Sequence, residues 1–296
     1  MWKKIQYGLL LAVFYPLSVL PMPVLYFLGD LVYPILYYIV KYRRDVVRGN
    51  LSASFPEKTE SEIREIERGF YHFFCDYVVE TVKLLTISRK QMQRRMKFVN
   101  GAEVDALADG KRPIFAYIGH LANWEYIISI PMWVPSLKVY HIYHELSSEP
   151  FDRLMCKIRG RFDSIGVTMH RTARTLIGEL RQGTPYIVGL IADQRPEPNA
   201  IRHWTTFMNR EAPVIVDTER LGQKLGAIYF YMDVQRPRRG YYEITMLPIK
   251  ADESAPFSVT EQYFRMLEDN IRRLPSMYLW SHRRWSLSHS RTGQMQ

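Results

Sequence analysis

Apolar residues dominate the start of the chain. From Ile5 to Gly29 there are 25 residues without a charge, and after Asp30 a second apolar run extends from Leu31 to Val40. About 20 apolar residues suffice to cross a bilayer, but Pro16, Pro21 and Pro23 interrupt the first run, so it should bend or break there. Two arrangements fit: a kinked span, or a helical hairpin dipping into one leaflet. A hydrophobic helix packed on the globular body is the plainer alternative. No small-x-small site follows the apolar stretch, so a cleaved leader is not expected. Lys41, Arg43, Arg44 and Arg48 outweigh Lys3 and Lys4, which places the body of the protein in the cytoplasm.

The periodicity then changes. Residues 57–85 repeat apolar positions at helical spacing through Ile63, Ile66, Phe70, Phe73, Phe74, Tyr77 and Val78, with Thr59 as N-cap and Glu60 and Glu62 in the first turn. Residues 89–97 form a basic, solvated stretch. From Pro113 onward short apolar runs alternate with amphipathic ones. They predict strands at 112–118, 137–142, 185–191, 227–234 and 241–248, and helices at 124–132, 149–160, 171–182, 212–225 and 259–273. Such alternation predicts an α/β sandwich with a largely parallel central sheet, preceded by the N-terminal hydrophobic membrane helix or hairpin. No linker or internal repeat divides it. The expected organisation is a membrane-associated segment over 1–41, one α/β domain over 42–290 and a polar tail over 291–296.

Charge narrows the partners. The chain of 296 residues carries 40 Lys and Arg against 30 Asp and Glu, a net +10. That balance suits nucleic acid, an anionic membrane or an acidic substrate. The basic residues are scattered and match no nucleic-acid-binding pattern, so no nucleic acid partner is expected. Aromatics at 14% suit a lipid-facing protein better. Two cysteines, Cys75 and Cys156, make no disulfide framework. Among His120, His141, His144, His170 and His203 no ligand spacing is convincing, so no metal is expected.

The candidate chemistry lies in Gly119-His120-Leu121-Ala122-Asn123-Trp124-Glu125, between a buried strand and a buried helix. An imidazole with a carboxylate five residues on is a possible general-base pair. On a continuous helix these positions lie about 140° apart, so they meet only if the chain bends between them. Asn123 as N-cap would put Glu125 in the first turn, where the helix dipole favours a carboxylate. A satisfied loop histidine followed by a surface glutamate is the alternative, since the spacing alone is common.

His120 and Glu125 resemble the HxxxxD/E motif of the glycerolipid acyltransferase superfamily, and His-x-x-Asn-Trp-Glu is similar to the late lipid A acyltransferases of Gram-negative bacteria. The resemblance continues through Tyr42-Arg43-Arg44 with Gly49-Asn50-Leu51, Phe70-Tyr71-His72-Phe73-Phe74 with Val79-Glu80, Ile158-Arg159-Gly160, Ile191-Ala192-Asp193-Gln194, and Trp280-Ser281-His282-Arg283-Arg284. It implies an inner-membrane O-acyltransferase working from the cytoplasmic side, with no cofactor. The acyl group would pass from an acyl-thioester to a hydroxyl of an anionic lipid A precursor. Acyl carrier protein is the implied donor, with a coenzyme A thioester used by some relatives. An acidic carrier would suit the basic surface.

Roles follow from the resemblance and the chemistry. His120 is the base and Glu125 orients it. Arg159 is expected to stabilise the oxyanion or clamp a phosphate. Asp193 and Gln194 close a strand and are expected to position the acceptor or support the histidine, beside Asn123. Arg171 and Arg174 are candidates for phosphate. The loop 195–211 should cover the site, with Trp124, Trp204, Phe207 and Met208 lining an apolar slot. His282, Arg283 and Arg284, interleaved with Trp280 and Trp285, suit a membrane interface or a head group. Arg195-Pro196-Glu197-Pro198 and Thr206-Phe207-Met208-Asn209 depart from the family pattern, which leaves the slot's shape open. Neither cysteine is close to the motif, so no acyl-enzyme is required. Acylation of another membrane lipid, and a non-catalytic membrane-docked binding protein, are the competing functions.

Overall fold

A computed structural model describes residues 2–252 and 254–287; the polar tail expected over 291–296 lies outside the described residues. Two helices open the chain, α1 (Trp2–Val19) and α2 (Met22–Pro34), and the latter continues through a π-helical stretch to Val40. The break falls at Pro21, and Pro23 sits inside the first turn of α2, where its missing N–H is harmless. After α3 (Arg44–Ser54) comes α4 (Glu60–Lys83), the predicted long helix. Thr59 and Glu62 close a reciprocal capping box at its start. Next come α5 (Arg89–Arg95), β1 (Met96–Phe98), α6 (Gly101–Asp105), β2 (Ile114–Ile118), β3 (Lys138–Tyr143), α7 (Glu149–Arg159), β4 (Ile165–Thr168), α8 (Thr172–Arg181) and β5 (Tyr186–Ile191). The chain finishes with β6 (His203–Phe207), β7 (Arg210–Val214), α9 (Asp217–Leu225), β8 (Ile228–Arg238), β9 (Tyr241–Ile249) and α10 (Ser258–Arg273).

Seven strands form one sheet in the order β1-β9-β8-β2-β5-β3-β4. Every pairing is parallel except β8 with β9. The α/β expectation with a largely parallel sheet therefore holds. Period-two alternation sends β2 residues to opposite faces. Phe115 and Tyr117 join a core with Tyr263, Phe264 and Leu267 of α10, while Ile114, Ala116 and Ile118 join a second with Tyr126, Leu154 and Ile158. Both faces are covered, as parallel sheets require.

Three sequence expectations need correction. Residues 124–132 form a helix, but of 3₁₀ rather than α type, with Pro131 inside it. The expected loop 195–211 contains β6 and the turn into β7, a separate two-stranded hairpin. Met208 and Asn209 both have positive φ, 50° and 63°, the requirement of a two-residue type I′ turn. The helix expected over 212–225 starts only at Asp217, because Ala212, Pro213 and Val214 pair with β6. Pro213 is tolerated because each strand of this ribbon has a free edge.

The N-terminal helices are seated on the body by polar ties. Lys83 Nζ donates to the carbonyls of Ser18 and Leu20 at the break (2.8 and 2.9 Å). Arg239 forks between Asp30 of α2 and Asp76 of α4. Outward, Trp2, Ile5, Leu9 and Val13 of α1, Val24, Phe27 and Leu31 of α2, and Ile35 of the π-helical stretch are exposed at helical spacing. Met22–Val40 is long and apolar enough to cross a membrane.

Candidate active site

The parallel pairing of β2 with β5 puts Gly119 and His120 beside Ala192 and Asp193, where both strands end. Ends of this kind are where sites form in open α/β sheets. The backbone of the His120 loop is fixed from three sides. Leu279 N–H donates to the His120 carbonyl (3.0 Å), and Ala122 N–H donates to the Met277 carbonyl (3.0 Å). Gly119 packs closely on α10: a Cβ there would meet Leu267 Cδ1 at 2.5 Å, so Leu267 would have to shift. Ala122 adopts φ 54°, a left-handed bend between His120 and Glu125.

The bend does not bring Glu125 to His120. His120 Nδ1 lies 2.7 Å from Asp193 Oδ1, and the His120 backbone N–H donates to Asp193 Oδ2 at 3.0 Å. Asp193 is buried. Burial alone would push its carboxyl up, but the His120 ring and backbone N–H, helped by Arg284, bring it below the usual carboxylate range. An ionised Asp193 only accepts, so the proton sits on Nδ1 and the Nε2 lone pair is the basic one. The Gln194 amide donates to that lone pair at 3.3 Å. The His120 side chain remains 15% exposed.

Glu125 has a different partner, which corrects its expected role as the group orienting His120. It is 3% exposed and takes Arg159 Nε at 2.8 Å and Nη2 at 2.5 Å in a bidentate pair. Burial opposes the Arg159 charge, but the Glu125 contact outweighs it and raises the guanidinium further into its protonated range. Arg159 keeps Nη1 outside this contact. Tyr77 of α4 donates to Glu125 at 3.5 Å and lies tilted against Trp124, ring centroids 4.2 Å apart, and Trp124 meets the His120 ring edge-on at 5.1 Å. Asn123 caps the following turn through Glu125 N–H, as the sequence predicts, and donates from Nδ2 to the buried Glu80 at 2.6 Å. Glu80 also accepts from Tyr26 and Tyr242. The sequence reading gave Glu80 no role, although Val79-Glu80 is part of the resemblance.

Other expected site residues scatter. Trp124 and Trp204 are half-buried. Phe207 and Met208, expected to line a slot, are instead fully buried in the core, where Phe207 packs on Phe264 and Trp285. Arg171 and Arg174 are exposed at the start of α8, following β4 and two strands from β5. Arg283 is exposed, whereas Arg284 is 1% exposed, which corrects a membrane-facing role for Arg284. His282 is half-buried, and burial, the largest influence, pulls it down to about 4 against the opposing charge of Asp193. It is neutral at neutral pH. His141 contacts Ser164 and is likewise held neutral, its value lowered to about 4 by burial and Arg159.

Pieces far apart in sequence meet here. Asn50 Nδ2 donates to the carbonyls of Trp280 and His282 (2.8 and 3.0 Å), and Arg43 donates to that of Ser281 (3.1 Å). Among the described residues one group of potential metal donors, Asp30, His72 and Asp76, lies within 4.8 Å, but Arg239 and Arg236 already occupy its carboxylates.

The family profile described as bacterial lipid A biosynthesis acyltransferase matches residues 2–286. No individual curated protein matches the chain.

Proposed function

The chain belongs to the bacterial lipid A biosynthesis acyltransferase family, and on that premise we propose that His120, oriented by Asp193, is the general base of the transfer. The acceptor is a hydroxyl of a lipid A precursor. It replaces the Gln194 amide at Nε2 and gives up its proton there while its oxygen attacks the thioester carbonyl. Asp193 stabilises the imidazolium that forms. The tetrahedral oxyanion then collapses and expels the thiolate, which takes the proton from His120. The free Nη1 of Arg159, or backbone N–H groups, steadies the oxyanion. Glu125 serves by holding Arg159 rather than by touching the base.

The donor is an acyl-thioester, with acyl carrier protein the better fit to a chain of net +10. The exposed apolar stripes of α1 and α2 seat the enzyme on the cytoplasmic face of the inner membrane. Trp124 and Trp204 flank the route of the acyl chain, and Arg171, Arg174 and Arg283 are placed to meet phosphate on the acceptor.

The observation that carries this reading is the His120–Asp193 pair at the ends of two adjacent parallel strands. The test is transfer by purified protein in vesicles. Acyl carrier protein and coenzyme A thioesters are compared as donors, and a lipid A precursor and a lysophospholipid as acceptors. Turnover with the lipid A precursor that disappears in His120→Ala is expected. Equal turnover by His120→Ala refutes the base, and turnover with lysophospholipid alone refutes the acceptor.

A further inference from the structure

Arg284 makes no hydrogen bond: its Nε, Nη1 and Nη2 are all buried, and none has a partner among the described residues. Its guanidinium lies instead over the rings of Phe207 and Phe264, at 5.9 and 5.8 Å from their centroids. A buried cation without hydrogen bonds is costly to maintain, and it ties no elements together. The turn that carries it is clamped to the His120 loop through Leu279 and held from behind by Asn50 and Arg43. The fold therefore holds this charge on a turn bonded to the His120 loop, where it acts on Asp193 through space, in the direction that favours the ionised carboxylate.

The other charged and titratable groups facing the pair do not duplicate it. Arg195, after β5, is exposed and screened by solvent. Tyr231 of β8, Tyr263 of α10 and Tyr278 are buried near Asp193 and are neutral. His282, on the same turn, is held neutral by burial. On the far side of Trp124, Glu125 and Arg159 compensate one another. Arg284 is the buried cation that remains.

We propose that Arg284 is a positioning residue for acyl transfer: its buried charge keeps Asp193 ionised and His120 neutral until the acceptor hydroxyl delivers its proton. This rests on the assignment of His120 and Asp193 as the base and its support. The interaction runs through space and requires charge rather than a particular hydrogen-bond geometry. Without it a proton on His120 is opposed less, so the neutral, active form prevails only at higher pH.

The test is the pH dependence of kcat/KM for Arg284→Met and Arg284→Lys in the full-length protein in vesicles. The acid limb of Arg284→Met is expected to move to higher pH. Its activity relative to wild type should be about tenfold lower at about pH 6 than at about pH 9. Arg284→Lys keeps the charge and should return the limb towards the wild-type position. A loss by the same factor at every pH in Arg284→Met overturns the proposal, because a packing role alone scales activity without moving the limb. Should Arg284→Met not fold, Arg284→Gln carries the same measurement. A thermal double-mutant cycle of Arg284→Gln with Asp193→Asn adds a readout independent of turnover: coupling is expected, and strict additivity overturns the proposal. Wild-type activity in His120→Ala would instead refute the base assignment and leave the electrostatic coupling of Arg284 to Asp193 standing.

Discussion

The motif segment supplies one member to each of two hydrogen-bonded pairs, and the two differ in what they leave free. His120–Asp193 is one-sided: the carboxylate takes one nitrogen and the backbone N–H, and Nε2 is left with a displaceable amide. Glu125–Arg159 is closed: two carboxylate oxygens meet two guanidinium nitrogens, and Tyr77 and Asn123 pack around them. The first arrangement can accept a proton from outside. The second neutralises itself through Nε and Nη2 and leaves only Nη1 of Arg159 outside the contact. Five residues of separation therefore do not make partners. Each motif residue finds its partner on another element, 73 positions downstream for His120 and 34 for Glu125.

Replacement of each pair in turn should separate chemistry from architecture. His120→Ala is expected to lower transfer by about 10,000-fold or to background, with melting temperature and membrane binding retained. Asp193→Asn keeps the size but not the charge, and should lower kcat by about 100- to 10,000-fold. Glu125→Gln should act differently. It leaves Arg159 facing a neutral amide inside the fold, at a cost of about 3 kcal/mol, read as a fall in denaturant midpoint. If Glu125→Gln were as inactive as His120→Ala at full stability, Glu125 would do more than hold Arg159 and the contrast would fail.

Why the sequence pointed to Glu125 rather than Asp193 has a physical explanation. Local signals carry as far as the hydrogen bonds that enforce them. Thr59 and Glu62 bond each other three residues apart, so the start of α4 was readable. The apolar runs 185–191 and 241–248 gave strands nearly to the residue: the first is apolar throughout and mostly buried, and the second alternates buried and partly exposed positions along most of its length. The partner of His120, by contrast, is fixed by the register of β2 against β5, a long-range pairing with no local signature. Asp193 was singled out on the resemblance, with support of the histidine as one of two roles. The hairpin of β6 and β7 was missed although Asn209 at the turn was a usable signal for positive φ. Arg284 reads as a surface cation next to tryptophan, and only the clamp of the C-terminal turn on the His120 loop buries it.

A smaller effect tests the neutral surroundings of the open pair. His282 is held down at about 4 by burial, against about 6.5 in an unfolded chain. Between those values the unfolded state binds the proton and the folded state does not. Stability is therefore fully present above about pH 6.5 and falls as the pH is lowered towards 4. His282→Gln, which cannot titrate, should flatten that part of the stability curve relative to wild type in denaturant unfolding at stepped pH. His141 contributes in the same direction and remains in both proteins, so the slope should be reduced rather than abolished. An unchanged slope would mean that His282 is as accessible to protons in the folded protein as in the unfolded one.

The smallest effect concerns the rim. Arg171 and Arg174 stand exposed at the start of α8, two strands from β5, on the same sheet edge as His120 because β2, β5, β3 and β4 all run parallel. At that distance they cannot orient the imidazole, and as exposed cations they interact through solvent, where salt screens them. Their contribution should appear only in capture of a phosphorylated acceptor. Arg171→Ala with Arg174→Ala is expected to raise KM for the lipid A precursor by about three- to tenfold, with kcat unchanged and the difference shrinking in high salt. A fall in kcat at unchanged KM would place these arginines with the open pair instead, and would require the acceptor to bridge four strands of the sheet edge while its hydroxyl reacts.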